Sequence, residues 1–389
     1  LDVITNDAPV VNIVNAVCID AIERGASDIH VESLRDHVRV RYRIDGKLLT
    51  VRRLAGEILA QFSSRVKIMA NLNIMERRLP QDGRMTVLLG GRSVDVRVSS
   101  MPTAWGESLV LRLFDVGRAA REFRDLGFSA EDQRLILSAL AGTHGLILAT
   151  GPTGSGKTTT LHSLLALINT EDRNIVSLED PVERAIDGVN QVQICEEIGV
   201  NFESMLRRVL RQDPNAIMVG EIRDAQTAEL AARSALTGHL LLSTIHTNDS
   251  VSVVSRLRNM GLEPYLIAAV LRCSIAQRLV RAVCPRCSVD VEPDGRQKEA
   301  LDRAGASADT VKEAVGCPFC SHTGYSGRLV VGEVFLVDDE TREMIEGGAS
   351  DSEIAGRAAR GGGTLFRDAM IKVQGGLTTF SEAEREVGA

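Results

Sequence analysis

The sequence predicts an α/β protein centred on a parallel sheet with helices on both faces. A small mixed α/β domain precedes it, and a cysteine-bearing part and then a helical part follow. Three observations predict this class. From about residue 126, short apolar runs alternate with helical segments, the pattern of buried parallel strands. A glycine-rich turn joins the first of these runs to a helix. Two Cys-x-x-Cys pairs then interrupt the alternation.

A chain of 389 residues exceeds one ordinary core, so two or three domains are expected. Hydrophobic residues make up 44% and mean hydropathy is +0.01, as in soluble globular proteins. The longest apolar runs, such as Gly145–Ala149 and Ala216–Val219, fall far short of the roughly 20 residues that span a bilayer. No export signal opens the chain, so a cytosolic protein is expected. The net charge of -7 is uneven. Residues 1–125 hold 19 Lys/Arg against 16 Asp/Glu, and the remainder 26 against 36. A surface for duplex nucleic acid would show as a dense basic stripe. A basic face meeting an acidic one suits a subunit contact.

The first domain is placed at 1–115. Asp7 can cap a helix with Pro9 in its first turn, apolar residues from Val10 to Ile22, and Gly25 as its stop. Strands are expected over Asp28–Glu32 and Val38–Ile44, with Asp45-Gly46 turning into Lys47–Val51. A helix over Glu57–Ala70 and a hairpin of Met85–Leu89 with Ser93–Val98, joined at Gly90-Gly91, follow. A charged, aperiodic linker is placed at 116–125. The core, 126–280, has strands Leu146–Thr150, Asn174–Leu178, Ala216–Val219 and Leu240–Ile245. Its helices are Thr158–Asn169, Phe202–Arg211 and Ala225–Ala235. The cysteine part is placed at 281–330 and the helical end, interrupted at Gly361–Gly363, at 331–389.

The strongest motif is Gly151, Pro152, Thr153, Gly154, Ser155, Gly156, Lys157 and Thr158, with Thr159 following. It matches the phosphate-binding loop in full, between a strand and a helix. Its glycines let backbone N–H groups point inward at phosphates, and the helix N-terminus adds partial positive charge. Lys157 would reach the β- and γ-phosphates and Thr158 would bind Mg²⁺, so the loop predicts ATP binding. The bland alternative is a turn that binds nothing. Carboxylates at neighbouring strand ends are also required, and two segments supply them: Ile175–Glu183 with Glu179, and Ala216–Asp224 with Glu221. Gly220 stands where such a strand normally carries Asp. Glu179 and Glu221 must therefore share the magnesium and water-orienting roles, unless they only cap solvent-facing strand ends.

His239 and His246 flank the strand Leu240–Ile245. His246, beside Thr244, Thr247 and Asn248, is the better candidate for sensing a γ-phosphate; either could be structural. Arg39, Arg41 and Arg43 alternate on one strand, which reads as a solvated face. Arg84 and Arg97 are the better candidates for the extra positive charge that phosphoryl transfer needs. Cys284, Cys287, Cys317 and Cys320, with 29 residues between the pairs, can close a tetrahedral structural Zn²⁺ site. In a cytosolic chain this pattern favours metal over disulfides. A redox pair or four unliganded thiols are the alternatives. Cys18, Cys195 and Cys273 read as small buried side chains.

These stretches together resemble the secretion and pilus-assembly ATPases, in particular the type II secretion ATPases (general secretory pathway protein E). The resemblance is carried by Gly151–Thr158, Val176–Glu183, Leu210–Asp224, Gly238–Ser250, Gly25–His30, Arg41–Gly46 and the cysteine pairs. Asn215, where the family usually has Asp, is a mild departure. The resemblance implies a RecA-like P-loop ATPase core and a PAS-like N-terminal domain that closes over the nucleotide. It also implies a structural zinc and a homo-hexameric ring at the cytoplasmic face of the inner membrane. Inner-membrane secretion platform proteins would be its partners and pseudopilus assembly its work. Longer relatives carry a further N-terminal domain, so this chain is expected to be a shortened form. Type IV pilus assembly is the first competing reading. A nucleotide-binding scaffold with little hydrolysis is the second. A nucleic-acid translocase is the third, disfavoured by 3% aromatics.

Overall fold

The computed structural model describes residues 10–115, 121–358 and 363–388. Asp7, Pro9, linker residues 116–120 and Gly361-Gly362 lie outside the described residues. The chain divides into two units, Leu1–Ala119 and Ala120–Ala389.

The first unit contains α1 (Val10–Glu23), β1 (Asp28–Ser33), β2 (His37–Ile44), β3 (Lys47–Ala55), α2 (Leu59–Met69), β4 (Gln81–Leu89), β5 (Arg92–Thr103) and β6 (Gly106–Asp115). The strands form one antiparallel sheet in the order β3-β2-β1-β6-β5-β4. Strand alternation sets its two faces. Val38, Val40 and Tyr42 of β2 are buried in a core shared with Val14 and Val17 of α1 and Phe62 and Val66 of α2. Both expected hairpin turns are present. Asp45-Gly46 and Gly90-Gly91 take positive φ, the backbone that tight two-residue turns demand. The sequence gave no reading of β6, yet it pairs with both β1 and β5 in the middle of the sheet. Its buried Leu109 and Leu111 alternate with more exposed residues.

The second unit holds α3 (Ala130–Leu140), β7 (Gly145–Thr150), α4 (Lys157–Ile168), β8 (Ile175–Glu179), β9 (Val189–Gln193), α5 (Phe202–Val209), β10 (Ala216–Val219), α6 (Ala225–Leu236), β11 (Leu240–Ile245), α7 (Val253–Asn259), α8 (Pro264–Val270) and β12 (Leu271–Val283). It continues with β13 (Ser288–Val291), α9 (Gly295–Arg303), β14 (Val311–Ala314), β15 (Tyr325–Leu336), α10 (Asp339–Glu346), α11 (Asp351–Ala358), α12 (Leu365–Gln374) and α13 (Phe380–Val387). The main sheet runs β15-β12-β7-β11-β10-β8-β9. All neighbours are parallel except β15, which pairs antiparallel with β12.

Every residue of β7, β8, β10 and β11 is buried, as expected of strands covered on both faces. Leu146 and Leu148 join a core with Ala228, Ala231 and Leu266 on one face. Ile147 and Ala149 join another with Ile136, Leu161 and Leu164. The expected boundaries at 280 and 330 fall inside β12 and β15, so one sheet carries parts of all three expected segments. Arg272, Gln277, Arg278 and Arg281 interrupt the apolar run of β12, which hid it from a search for purely apolar strands. Cysteines, α9 and the β13–β14 ribbon form an excursion between these two strands.

Candidate active site

The parallel strands bring their C-terminal ends to one edge of the sheet, where open α/β sheets bind ligands. At the end of β7 the chain enters the glycine loop. Gly151, Gly154 and Gly156 take φ of 139°, 80° and 89°, conformations that L side chains rarely adopt. A Cβ at Gly151 would lie 2.5 Å from the Gln277 carbonyl oxygen, so the close approach itself requires glycine. Gly156, which has no side chain, occupies the N-cap of α4 and leaves its first N–H groups facing the loop. Lys157 Nζ donates to the carbonyls of Gly151 (2.9 Å) and Pro152 (3.0 Å), which curls the ammonium over the loop. Burial lowers the Lys157 pKa, and the Glu221 charge opposes that shift. Thr158 follows, half-buried, and Thr159 is exposed.

The two acidic strand ends differ. Glu179 closes β8, only 3% exposed. Its Oε1 accepts from Ser177 Oγ (2.6 Å) and Gln191 Nε2 (2.8 Å), and its Oε2 lies 3.0 Å from His162 Nε2. Burial alone would raise its pKa. The hydrogen bonds from His162, Gln191 and Ser177 outweigh burial and hold the carboxyl below its ordinary range. Glu221, just past β10, pairs with Arg223 and faces His246 Nε2 at 3.6 Å. The hydrogen bond from Arg223 is the main reason its pKa is lowered. At Gly220, a Cβ would sit 3.1 Å from the Leu178 carbonyl oxygen and 3.5 Å from the Phe202 ring. An acid there would point into packing, and Glu221 is the strand-end acid whose charge reaches Lys157.

Strand β11 ties these ends together. Ser243 and Thr244 hydroxyls donate to the carbonyls of Val219 (2.7 Å) and Gly220 (2.8 Å). Thr150 Oγ1 accepts from Thr247 N (2.8 Å), which clamps the glycine loop's base to the segment after β11. His246 is exposed beside Glu221. His239, at the opposite end, packs its Nδ1 3.0 Å from the Ser234 carbonyl, a structural placement. Sequence reasoning missed His162, Gln191, Gln277 and Arg278. The position of His162 five residues beyond Lys157 on the same helix was a signal that could have flagged it.

Within the first unit, Arg84 and Arg97 are directly opposite each other in the β4–β5 register. Arg84 is exposed, and the Arg97 guanidinium lies 4.8 Å from the centre of the Phe114 ring. Arg39 and Arg41 both pair with Glu32, and Arg43 lies 3.4 Å from Asp28. Those three arginines belong to the ion pairing of the sheet face.

The four paired cysteines meet although 29 residues separate the pairs. Their sulfurs all lie within 4.8 Å of one another. Cys284–Cys317, Cys287–Cys320 and Cys317–Cys320 Sγ separations are 3.9, 3.8 and 3.8 Å. Zn–S bonds of about 2.3 Å in a tetrahedron require S···S edges of about 3.8 Å, so the donor set fits zinc. Backbone N–H groups of Gly316, Cys317 and Gly324 point at the sulfurs of Cys287 and Cys320. Burial resists ionisation of Cys320, but the N–H groups of Cys317 and Gly324 bring it down to about 6. Burial and the adjoining thiols push Cys287 up to about 12, because four such thiols cannot all ionise together without a cation. Cys18 and Cys273 are buried, and desolvation pushes their thiols up to about 11 and about 12; Cys195 is half-buried.

Comparison with known proteins fits this arrangement. The family model described as "Type II/IV secretion system protein" matches residues 4–385. The chain is 43% identical over 380 residues to the Type II secretion system ATPase E of Vibrio cholerae, covering 98% of this chain and 76% of that protein. It is 47% identical over 384 residues to the Type IV pilus assembly ATPase PilB of Myxococcus xanthus, covering 97% and 68%. The fold is similar to that of the Legionella pneumophila ATPase DotB, with a TM-score of 0.72 at 22% identity over 99% of this chain and 97% of that one. With a family model spanning almost its whole length and relatives above 40% identity, this chain belongs to the type II/IV secretion system protein family.

Proposed function

We propose that the protein is an ATP-hydrolysing motor, working as a homo-hexamer, that energises type II secretion by driving pseudopilus assembly. It would act at the cytoplasmic face of the inner membrane, docked on platform proteins. Among the described residues no helix is long and apolar enough to cross a membrane, so attachment would run through such partners. The observation that carries the enzymatic reading is the convergence of Lys157, Glu221 and His246 at the edge where β7, β10 and β11 end.

In this reading Gly151–Thr159 bind the ATP phosphates, through loop N–H groups and the Lys157 ammonium. Mg²⁺, when bound, neutralises charge on the β- and γ-phosphates. Thr158 would hold it, with Glu179 and Glu221 in its shell. Glu221 orients the attacking water, since it is the less encumbered acid beside Lys157. Glu179, fixed by three donors, keeps its charge and geometry constant through the cycle. His246 reads the γ-phosphate beside Glu221. Arg84 and Arg97 supply transition-state charge from the first unit, as arginine fingers do in other phosphoryl-transfer enzymes. The cysteine site holds zinc structurally and ties the ribbon excursion shut.

A second reading, type IV pilus assembly, is favoured by the 47% identity to the Myxococcus xanthus protein. Capture with membrane fractions separates the two. Type II platform proteins recovered with wild-type protein support secretion, and recovery of pilus platform proteins alone overturns it.

A further inference from the structure

Strand β12 leaves the sheet beside β7 and carries two polar residues to the glycine loop. Gln277 is fully buried and donates through Nε2 to the Ser155 carbonyl at 2.7 Å. The next residue, Arg278, is part-buried. Its Nη1 lies 3.2 Å from the point where a Cβ at Gly151 would stand. The guanidinium donates to two neutral acceptors, the carbonyl of Gln277 (3.3 Å) and that of Asn248 (3.1 Å) in the segment after β11. Among the described residues no carboxylate lies within ion-pair distance of it. Glu386, Glu333 and Asp249 act on it only at longer range, and burial, the first cause, lowers its pKa. Its charge is also felt by Lys157 across the loop.

A half-desolvated guanidinium facing only carbonyls is under-satisfied, because charge-assisted bonds to an anion are about twice as strong as neutral ones. The anion that this loop is built for is a polyphosphate. Buried Ser155 Oγ and Gln277 Oε1 also have no partner at the same contact, so the join between loop and β12 holds spare hydrogen-bonding capacity. We infer that Arg278 is a phosphate contact for the bound nucleotide, supplied by β12 from the side of the loop opposite Glu221. On binding, it exchanges the Asn248 carbonyl for a phosphate oxygen, which frees the segment holding His246 to respond to the loaded loop. Arg278 thereby acts both as a binding residue and as the link from the loop to that segment. This inference rests on the nucleotide reading above.

The test is titration of full-length wild type, Arg278→Gln and Arg278→Lys with fluorescent mant-ADP, then competition by inorganic pyrophosphate. A lost charged hydrogen bond predicts about 10- to 100-fold weaker binding of both ligands by Arg278→Gln. Arg278→Lys should recover part of that loss. Thermal melts confirm that each variant is folded. Weakening of mant-ADP with unchanged pyrophosphate competition would place the effect at the base and overturn the phosphate contact. So would unchanged affinity for both ligands. Wild-type protein that binds neither ligand would instead remove the nucleotide reading itself.

Discussion

The Nε2 of His162 lies 3.0 Å from Oε2 of Glu179, joining the helix that opens at Lys157 to the acid closing β8. Because Glu179 is buried, loss of that partner leaves an under-solvated carboxylate. His162→Ala should therefore cost about 1–3 kcal/mol of stability and lower ATPase activity. The sign with pH follows from the lowered Glu179 pKa. Stabilisation by its ionised form is present above the unfolded value of about 4.3 and fades as pH falls through the lower native value. Thermal melts over pH 3–7 should show a shallower acid loss for His162→Ala than for wild type (a window of about pH 3–5). Parallel acid limbs would remove the idea.

Lys157→Ala and Glu221→Ala should each reduce Mg²⁺-dependent phosphate release by about 100-fold or more, since each removes a group acting on the transferring phosphoryl. Lys157→Ala should also weaken nucleotide binding, whereas Glu221→Ala should leave it nearly intact. The assay is phosphate release under ring-forming conditions. Equal release by wild type and both variants would sink hydrolysis and leave the scaffold reading.

Restoring an acid by Gly220→Asp should not improve catalysis. The new Cβ would crowd the Leu178 carbonyl and abut Phe202, so the carboxylate would enter packing with no cationic partner. The expected result is a loss of about 2–4 kcal/mol with activity no higher than wild type, read by denaturant melts and steady-state rates. A stable, faster variant would show that position 220 can reach the metal after all.

Elemental analysis should find about one zinc per chain, absent from a Cys317→Ser/Cys320→Ser double variant. Metal affinity should fall on acidification as the thiolates protonate, and chelation should lower the melting temperature. A chelated protein melting at the wild-type temperature would return the four cysteines to unliganded thiols.

The sequence by itself determined the local chemistry. The loop Gly151–Thr158 declares strand, turn and helix because its glycines suit positive φ and its flanks are apolar on one side and periodic on the other. The purely apolar strands and the Asp45-Gly46 and Gly90-Gly91 turns were legible for the same reason: their signal lies within a few consecutive residues. Tertiary structure decided what depends on partners distant in the chain. Strand β12 hid its nature because Gln277 and Arg278 are polar residues justified only by Ser155 and Asn248, 122 and 30 positions away. The fixing of Glu179 by His162 and Gln191 likewise needs α4 and β9 brought to β8. The cysteine pattern named its metal, but only the return of β15 along β12 closes 29 intervening residues into sulfur edges of the right length. Hydrophobic periodicity reports burial along one element, whereas a polar side chain is explained only by the partner that satisfies it.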